Sequence, residues 1–177
     1  MAFLSEMAED LAYGIITLRP RDKHDAARAT IQRMAHYDAL TDLPNHILFE
    51  RLLESSVDAA HKQQQTFALQ LFDLKRLRDI NDSLGFDAGN KVMRETARRM
   101  EQVVEEGGFV ARMRGGEFVL LLPGGGADYA EQTALRVLKV LSQPLTINNF
   151  SLIVSASAGI VQFPDNGTEA KLLMRYA

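Results

Sequence analysis

Residues 109–123 read Phe-Val-Ala-Arg-Met-Arg-Gly-Gly-Glu-Phe-Val-Leu-Leu-Leu-Pro. Two short apolar segments flank Arg114, Gly115 and Gly116. Paired glycines between strand-like segments predict a tight hairpin, because glycine adopts positive φ without steric cost. A turn with so few side chains also lets a ligand approach the backbone closely. We therefore expect a strand pair whose tip can contact a ligand.

The composition of the 177-residue chain is that of an ordinary globular protein, with 46% apolar and 24% charged residues. The length suits one domain with an N-terminal appendage. A net charge of −3 provides no broad basic field, which argues against nucleic acid as a partner. The sequence has no cysteine, no apolar run near the roughly 20 residues that span a bilayer, and no basic leader. We expect a cytoplasmic location and no membrane contact by this segment.

Apolar periodicity predicts elements in the order β-α-α-β-β-α-β-β, which follow a helix that ends near Gln64. The predicted ranges are strand 67–73, one helix ending at Leu84 and one at 88–106, the hairpin, helix 128–141, a second hairpin at 145–154 and a strand at 155–161. In helix 128–141 we expect Leu135, Leu138 and Leu141 to face the core. This order predicts an α+β fold with a mixed central sheet flanked by helices.

The N-terminal residues divide into two predicted segments ahead of a domain at 38–177. Residues 1–24 are interpreted as a linker from an upstream region, because the segment is too short to bury its own apolar face. A short amphipathic helix is the alternative. Residues 25–37 are predicted to form a connecting helix, and a helix that caps the domain itself is the alternative. Within the domain, we expect Asn45 to cap the helix that follows Pro44.

Several separated motifs of this chain resemble those of GGDEF domains, the diguanylate cyclase domains of bacterial cyclic-di-GMP signalling. They are Asp-Ala-Leu-Thr-Asp-Leu-Pro-Asn at 38–45, the strand ending in Asp73, Ile-Asn-Asp at 80–82, Phe-Asp-Ala-Gly-Asn at 86–90, Arg-Gly-Gly-Glu-Phe at 114–118 and the strand at 155–161. The resemblance implies a palm-like sheet similar to that of class III nucleotidyl cyclases. It also implies a larger signalling protein, with an adjacent EAL phosphodiesterase domain and a homodimer as partners. We expect the domain at 38–177 to lack the family's closing segment, which carries an Asp and a phosphate-binding Lys.

In this family two carboxylates hold Mg²⁺, and the chain retains one of them. Asp73 stands at the first position, but Lys75 stands two residues on, where a second Asp is common. Residues i and i+2 of a strand share a face, so we expect the Lys75 ammonium to pair with Asp73 and to oppose a divalent cation. The second ligand position is Gly116. We expect weak or absent Mg²⁺ binding and loss of cyclase activity, since losing such a group costs roughly a hundredfold in rate or more.

Glu117 is the acidic remnant of the signature, one residue beyond the ligand position. On a strand it points to the opposite face from its neighbour. An alternative hypothesis is an active cyclase, converting two GTP to cyclic-di-GMP, in which Glu117 substitutes in a register shifted by one residue.

The resemblance assigns the nucleotide-binding positions to Asn81, Asn90, Arg78 and Gly115. Asn81 matches the family's guanine-contacting Asn, whereas Asn90 replaces an Asp. A carboxylate accepts hydrogen bonds from both N1 and N2 of guanine, but an amide accepts only one of them. We therefore expect weaker affinity for guanine and weaker discrimination against other bases. Arg78 stands where the family has a phosphate-contacting Lys. Arg114, in place of the first signature Gly, either clashes with nucleotide or reaches phosphate, and the sequence leaves both open.

The product-inhibition site of the family, Arg-x-x-Asp, reads Glu-Glu-Gly-Gly at 105–108, so we expect it to be absent. The leading hypothesis is a degenerate, catalytically inactive GGDEF domain that acts as a regulatory, GTP-sensing or dimerisation module. A pseudoenzyme that binds no nucleotide and serves only as a protein-interaction surface is a further alternative.

Overall fold

A computed structural model describes residues 33–104, 107–124, 126–147 and 149–177. The named helices are α1 (His46–Gln63), α2 (Leu77–Leu84), α3 (Phe86–Val103), α4 (Ala127–Leu141) and α5 (Ala170–Tyr176). The strands are β1 (Phe67–Leu74), β2 (Phe109–Arg112), β3 (Glu117–Pro123), β4 (Leu145–Ile147), β5 (Phe150–Leu152) and β6 (Ala156–Phe163). The observed order after α1, β-α-α-β-β-α-β-β-β-α, confirms the α+β class and, within a few residues, the predicted ranges, and it has one more strand than the predicted string and a final helix.

The central sheet has four strands in the order β2-β3-β1-β6, and β4 and β5 form a separate two-stranded sheet. All the pairings within the central sheet are antiparallel, which corrects the expected mixed sheet. Strands β3 and β6, the two neighbours of β1, both run in the direction opposite to β1. The hairpin then sets β2 antiparallel to β3.

Helices cover both faces of the central sheet, so β1 is buried on both sides, as its continuous apolar run indicates. Helices α3 and α4 pack on one face, where the core includes Phe72 and Phe118. Helices α1 and α5 pack on the other face, where it includes Phe49, Leu69 and Val119. The sheet therefore presents its edge and the ends of β1 and β3 as the places where a site can form.

The prediction that Leu135 of α4 faces the core is wrong, because its side chain is 58% exposed. Its buried positions are Ala130, Thr133, Ala134, Val137 and Leu141. These residues recur every three or four positions and form one stripe. Position 135 lies outside that stripe, because each residue turns the helix by about 100°.

Helix boundaries near the site follow from local capping. Asn45 caps α1, and its side chain accepts hydrogen bonds from the backbone N–H groups of Ile47 and Leu48, as predicted. Gly85, at φ 85°, is the single residue between α2 and α3. Helix α3 therefore begins at Phe86, two residues earlier than predicted, which holds α2 and α3 in a tight pair.

Residues 1–32 lie outside the described residues, and with them the predicted linker at 1–24 and most of the predicted connecting helix at 25–37. Residues 33–36 are helical. Tyr37 then forms an isolated antiparallel bridge with Pro44, which closes the turn at the start of the domain. None of the described helices combines the length and the apolarity that a membrane crossing requires.

Candidate functional site

The β2–β3 hairpin forms as predicted, with a turn at residues 114–116. The Met113 N–H donates to Glu117 O, and the Glu117 N–H donates to Arg114 O, both at 2.9 Å. Gly115 adopts φ 54°, which explains a glycine at this place in the turn. The Leu74 N–H donates to Gly116 O at 3.0 Å, so the tip of the hairpin is joined to the end of β1.

Arg112 ties this hairpin to the turn at the start of the domain. Its Nη1 donates to Asp38 Oδ1 at 2.7 Å and its Nη2 to Gly115 O at 3.1 Å. Asp38 also accepts hydrogen bonds from the backbone and hydroxyl of Thr41. Burial raises the pKa of the Asp38 carboxyl group, but the hydrogen bonds from Arg112 and Thr41 outweigh it, and the net pKa is lowered. The motif spacing alone did not reveal this contact between residues 74 positions apart.

The predicted ion pair between Asp73 and Lys75 is confirmed. Lys75 Nζ lies 2.6 Å from Asp73 Oδ2, and the two side chains are 48% and 47% exposed. The Lys75 backbone N–H donates to Ser155 O at 2.8 Å. The carboxylate at the family's first metal position is therefore already paired with a cation.

Glu117 lies directly opposite Asp73 in the β1–β3 pairing. Cross-strand partners project from one face of the sheet, with Cβ atoms about 5 Å apart. The register aligns residue 117 with Asp73, and position 116 points elsewhere, as the alternation of side chains along a strand predicts. A Cβ added at Gly116 would instead meet Leu74 Cβ at 3.1 Å and Leu77 Cδ2 at 3.4 Å. Positions 116 and 117 thus point to different surroundings.

The two asparagines assigned to guanine recognition come from the paired helices α2 and α3. A Cβ at Gly89 would overlap Oδ1 of Asn81, so the Asn81 side chain lies against the backbone of Gly89. Asn90 follows Gly89 directly, and both asparagines are half-buried. The fold therefore brings Asn81 to the residue that precedes Asn90.

The basic residues of the site lie on its outer rim. Arg78, in the first turn of α2, and Arg114, at the hairpin tip, are both exposed, as is Gly115. Arg76 precedes α2 with φ 63° and pairs with Asp79 at 3.0 Å. No side chain caps the first amides of α2. Uncapped amides at a helix N-terminus favour anions.

The residues present do not fit Mg²⁺ held in the family's manner. Magnesium usually takes one or two protein carboxylates in a near-octahedral oxygen shell. Here Asp73 is neutralised by Lys75 and Gly116 offers no side chain. Within the described ranges, no three metal-ligating side chains cluster. The predicted absence of an inhibitory site involves residues 105–106, which lie outside the described ranges.

An antiparallel sheet covered by helices on both faces, with a glycine-turn hairpin beside the end of its central strand, defines a palm domain of the nucleotidyl-cyclase type. Residues 35–177 match the family model described as "Diguanylate cyclase, GGDEF domain". The chain therefore belongs to the GGDEF family, whose members take part in cyclic-di-GMP signalling.

Individual relatives agree with this assignment. The signaling protein YkoW of Bacillus subtilis is 32% identical over 174 residues, which cover 97% of this chain and 22% of YkoW. MucR of Pseudomonas aeruginosa, a bifunctional diguanylate cyclase/cyclic di-GMP phosphodiesterase, is 34% identical over 149 residues, covering 84% of this chain and 22% of MucR. A crystal structure of a sensory box/GGDEF family protein from Caulobacter crescentus has a TM-score of 0.76 at 30% identity, covering 80% of this chain and 92% of that one. The chain spans about a fifth of the length of YkoW and MucR.

Proposed function

We propose that this chain is a degenerate GGDEF domain that has lost cyclase activity and regulates cyclic-di-GMP signalling by binding GTP. The observation that carries the proposal is the 2.6 Å ion pair between Lys75 and Asp73, beside a glycine at position 116. The ion pair neutralises the carboxylate at one of the family's metal positions, and the glycine leaves the other metal position without a side chain. A group that stabilises charge in the transition state is typically worth about 3 kcal/mol or more.

The positions that would bind nucleotide keep more of the family's residues than the positions that would bind the metal. Asn81 is held against Gly89, which precedes Asn90, and Arg78 is exposed in the first turn of α2. The backbone of Gly115 is exposed at the hairpin tip. These four residues are the proposed contacts to guanine and phosphate. Because Asn90 offers one acceptor where a carboxylate would offer two, the preference for GTP over ATP is modest.

A larger protein is the proposed setting. The chain spans 22% of MucR, whose name includes a phosphodiesterase activity, and this supports an adjacent EAL phosphodiesterase domain as the output that the GGDEF domain controls. Homodimerisation through the connecting helix and a cytoplasmic location belong to the same proposal. GTP binding would then change the activity of the neighbouring domain.

Two measurements on the 177-residue chain test the proposal. In the first, the protein is incubated with GTP and Mg²⁺ and the products are separated by chromatography; we expect no cyclic-di-GMP. In the second, GTP and ATP are titrated calorimetrically; we expect saturable binding that is tighter for GTP. Cyclic-di-GMP formation would refute the loss of activity. Absence of GTP binding would refute the sensing role and favour a protein-interaction surface.

One observation favours a second candidate, an active diguanylate cyclase that uses Glu117. Glu117 is the cross-strand partner of Asp73, so the two carboxylates share a face of the sheet. This candidate predicts measurable turnover that Glu117→Ala abolishes and that Lys75→Asp raises. The product assay above distinguishes the two candidates directly.

A further inference from the structure

The end of β1 carries a fixed cation where the family pattern has an acidic residue. Lys75 Nζ lies 2.6 Å from Asp73 Oδ2, and the other ligand position is Gly116. An ammonium group repels a divalent cation that approaches the same carboxylate. Because these residues do not suit Mg²⁺, another group has to balance the phosphate charge of a bound nucleotide.

Lys75 is positioned from two sides. Its backbone N–H donates to Ser155 O at 2.8 Å, which ties it to the segment before β6. Its side chain donates one hydrogen bond to Asp73. An ammonium group has three N–H donors, and the Lys75 side chain is 48% exposed, so the other donors are available to a ligand.

Further donors lie on the two elements that adjoin Lys75, namely helix α2, which begins at Leu77, and the hairpin tip, which is joined to the end of β1 through the Leu74 N–H and Gly116 O. Arg78 and Arg114 are exposed, and neither forms an ion pair within the described part of the chain. Helix α2 starts at Leu77 with no side-chain cap on its first amides. A planar guanidinium matches the geometry of phosphate oxygens, and a helix N-terminus favours an anion.

We propose that this site binds the phosphates of GTP without a divalent cation, with the Lys75 ammonium in the place of the metal charge and Arg78 as a second phosphate contact. The inference rests on the GTP-sensing function proposed above and adds how the phosphate charge is balanced. An ammonium offsets phosphate charge but has no coordination position for a reacting oxygen. Binding without turnover follows from the same substitution.

The experiment is a calorimetric titration of GTP into the 177-residue chain, once with Mg²⁺ and once with EDTA. We expect the two dissociation constants to agree within about twofold, because the same protein donors would contact the phosphates with Mg²⁺ present and with Mg²⁺ removed. The variant Lys75→Met keeps the aliphatic stem and removes the charge, and in EDTA it should weaken GTP binding by about tenfold or more. Lys62→Met, on an exposed position of α1, is the matched control and should change nothing.

The outcomes separate this inference from the function on which it rests. Binding that requires Mg²⁺ would overturn the inference and leave GTP sensing intact. Equal binding in EDTA by Lys75→Met and by the unmodified chain would overturn the role of Lys75. Absence of GTP binding under both conditions would overturn the sensing function and this inference together. Thermal unfolding of each variant checks that it is folded.

Discussion

Asn81 occupies the space above Gly89 that any larger residue at position 89 would need. Gly89 lies in the first turn of α3, and glycine within a helix is less stable than alanine by up to about 1 kcal/mol. Its presence in α3 is therefore explained by the close approach of α2, which holds the Asn81 side chain against Gly89, the residue before Asn90. This single contact links the packing of two helices to the proposed recognition of guanine.

We predict that Gly89→Ala lowers the free energy of unfolding by about 1–2 kcal/mol, because overlap with Asn81 outweighs the gain in helix propensity. GTP affinity should fall as well, since Asn81 must move. Urea denaturation and GTP titration measure the two effects. The double variant Asn81→Ala/Gly89→Ala removes the overlap and should recover the stability but not the affinity. A more stable Gly89→Ala single variant would contradict the contact.

At the scale of elements, Arg99 joins α3 to the C-terminal end of α4. Its Nη1 donates to Val140 O at 3.0 Å and Gln143 O at 2.7 Å, and its Nη2 to Pro144 O at 3.1 Å. Glu95, one turn earlier on α3, accepts from Arg99 Nε at 2.8 Å and orients the guanidinium. Carbonyl groups at a helix C-terminus lack partners within the helix and favour a cation.

We predict that Arg99→Met lowers the free energy of unfolding by about 2 kcal/mol, because it leaves these carbonyl groups without their charged donor. Arg98→Met is the matched control. Arg98 also pairs with Glu95, but its side chain is 54% exposed, against 11% for Arg99. The control should cost less than about 0.5 kcal/mol. Equal losses in urea denaturation would show that Arg99 does not join the two helices.

At the scale of the whole molecule, acidic groups on separate elements make stability depend on pH. Hydrogen bonds from Arg98 and then from Arg99 lower the pKa of Glu95 from 4.5 to about 2. Asp38 also has a lowered pKa, through Arg112 and Thr41 against the effect of burial. A lowered folded-state pKa contributes stability above the unfolded-state value, and that contribution is lost as the pH falls through the folded-state value.

We therefore predict that the free energy of unfolding falls as the pH is lowered from about 4.5 toward 2. Glu95→Gln should cost about 1 kcal/mol at pH 7, a value reduced by solvent screening near the surface, and little near pH 2. Glu101 provides a control of opposite sign, because partial desolvation and then the charge of Asp42 raise its pKa. Glu101→Gln should stabilise the fold at pH 7 and have no effect in acid. If the free energy of unfolding changed with pH in the same way for Glu95→Gln and Glu101→Gln, the opposite pKa shifts assigned to the two residues would be contradicted.

The local features of the chain were predictable because each depends on residues close together in sequence. The capping of α1 by Asn45, the hairpin turn at Gly115 and the pairing of Lys75 with Asp73 all involve positions within three residues of one another. Leu135 was predicted wrongly, because the apolar pattern of α4 permits more than one buried stripe, and packing against the sheet selects the one containing Val137.

By itself, the sequence determined the family, the order of elements and the loss of a side chain at position 116, since these depend on residue identity and short-range geometry. Only the tertiary structure decided that Glu117 shares a face with Asp73, that Asn81 lies against Gly89 and that Arg112 reaches Asp38. Each of these facts depends on strand register or helix packing. Register and packing are set by the burial of apolar side chains from distant segments, which no local pattern encodes.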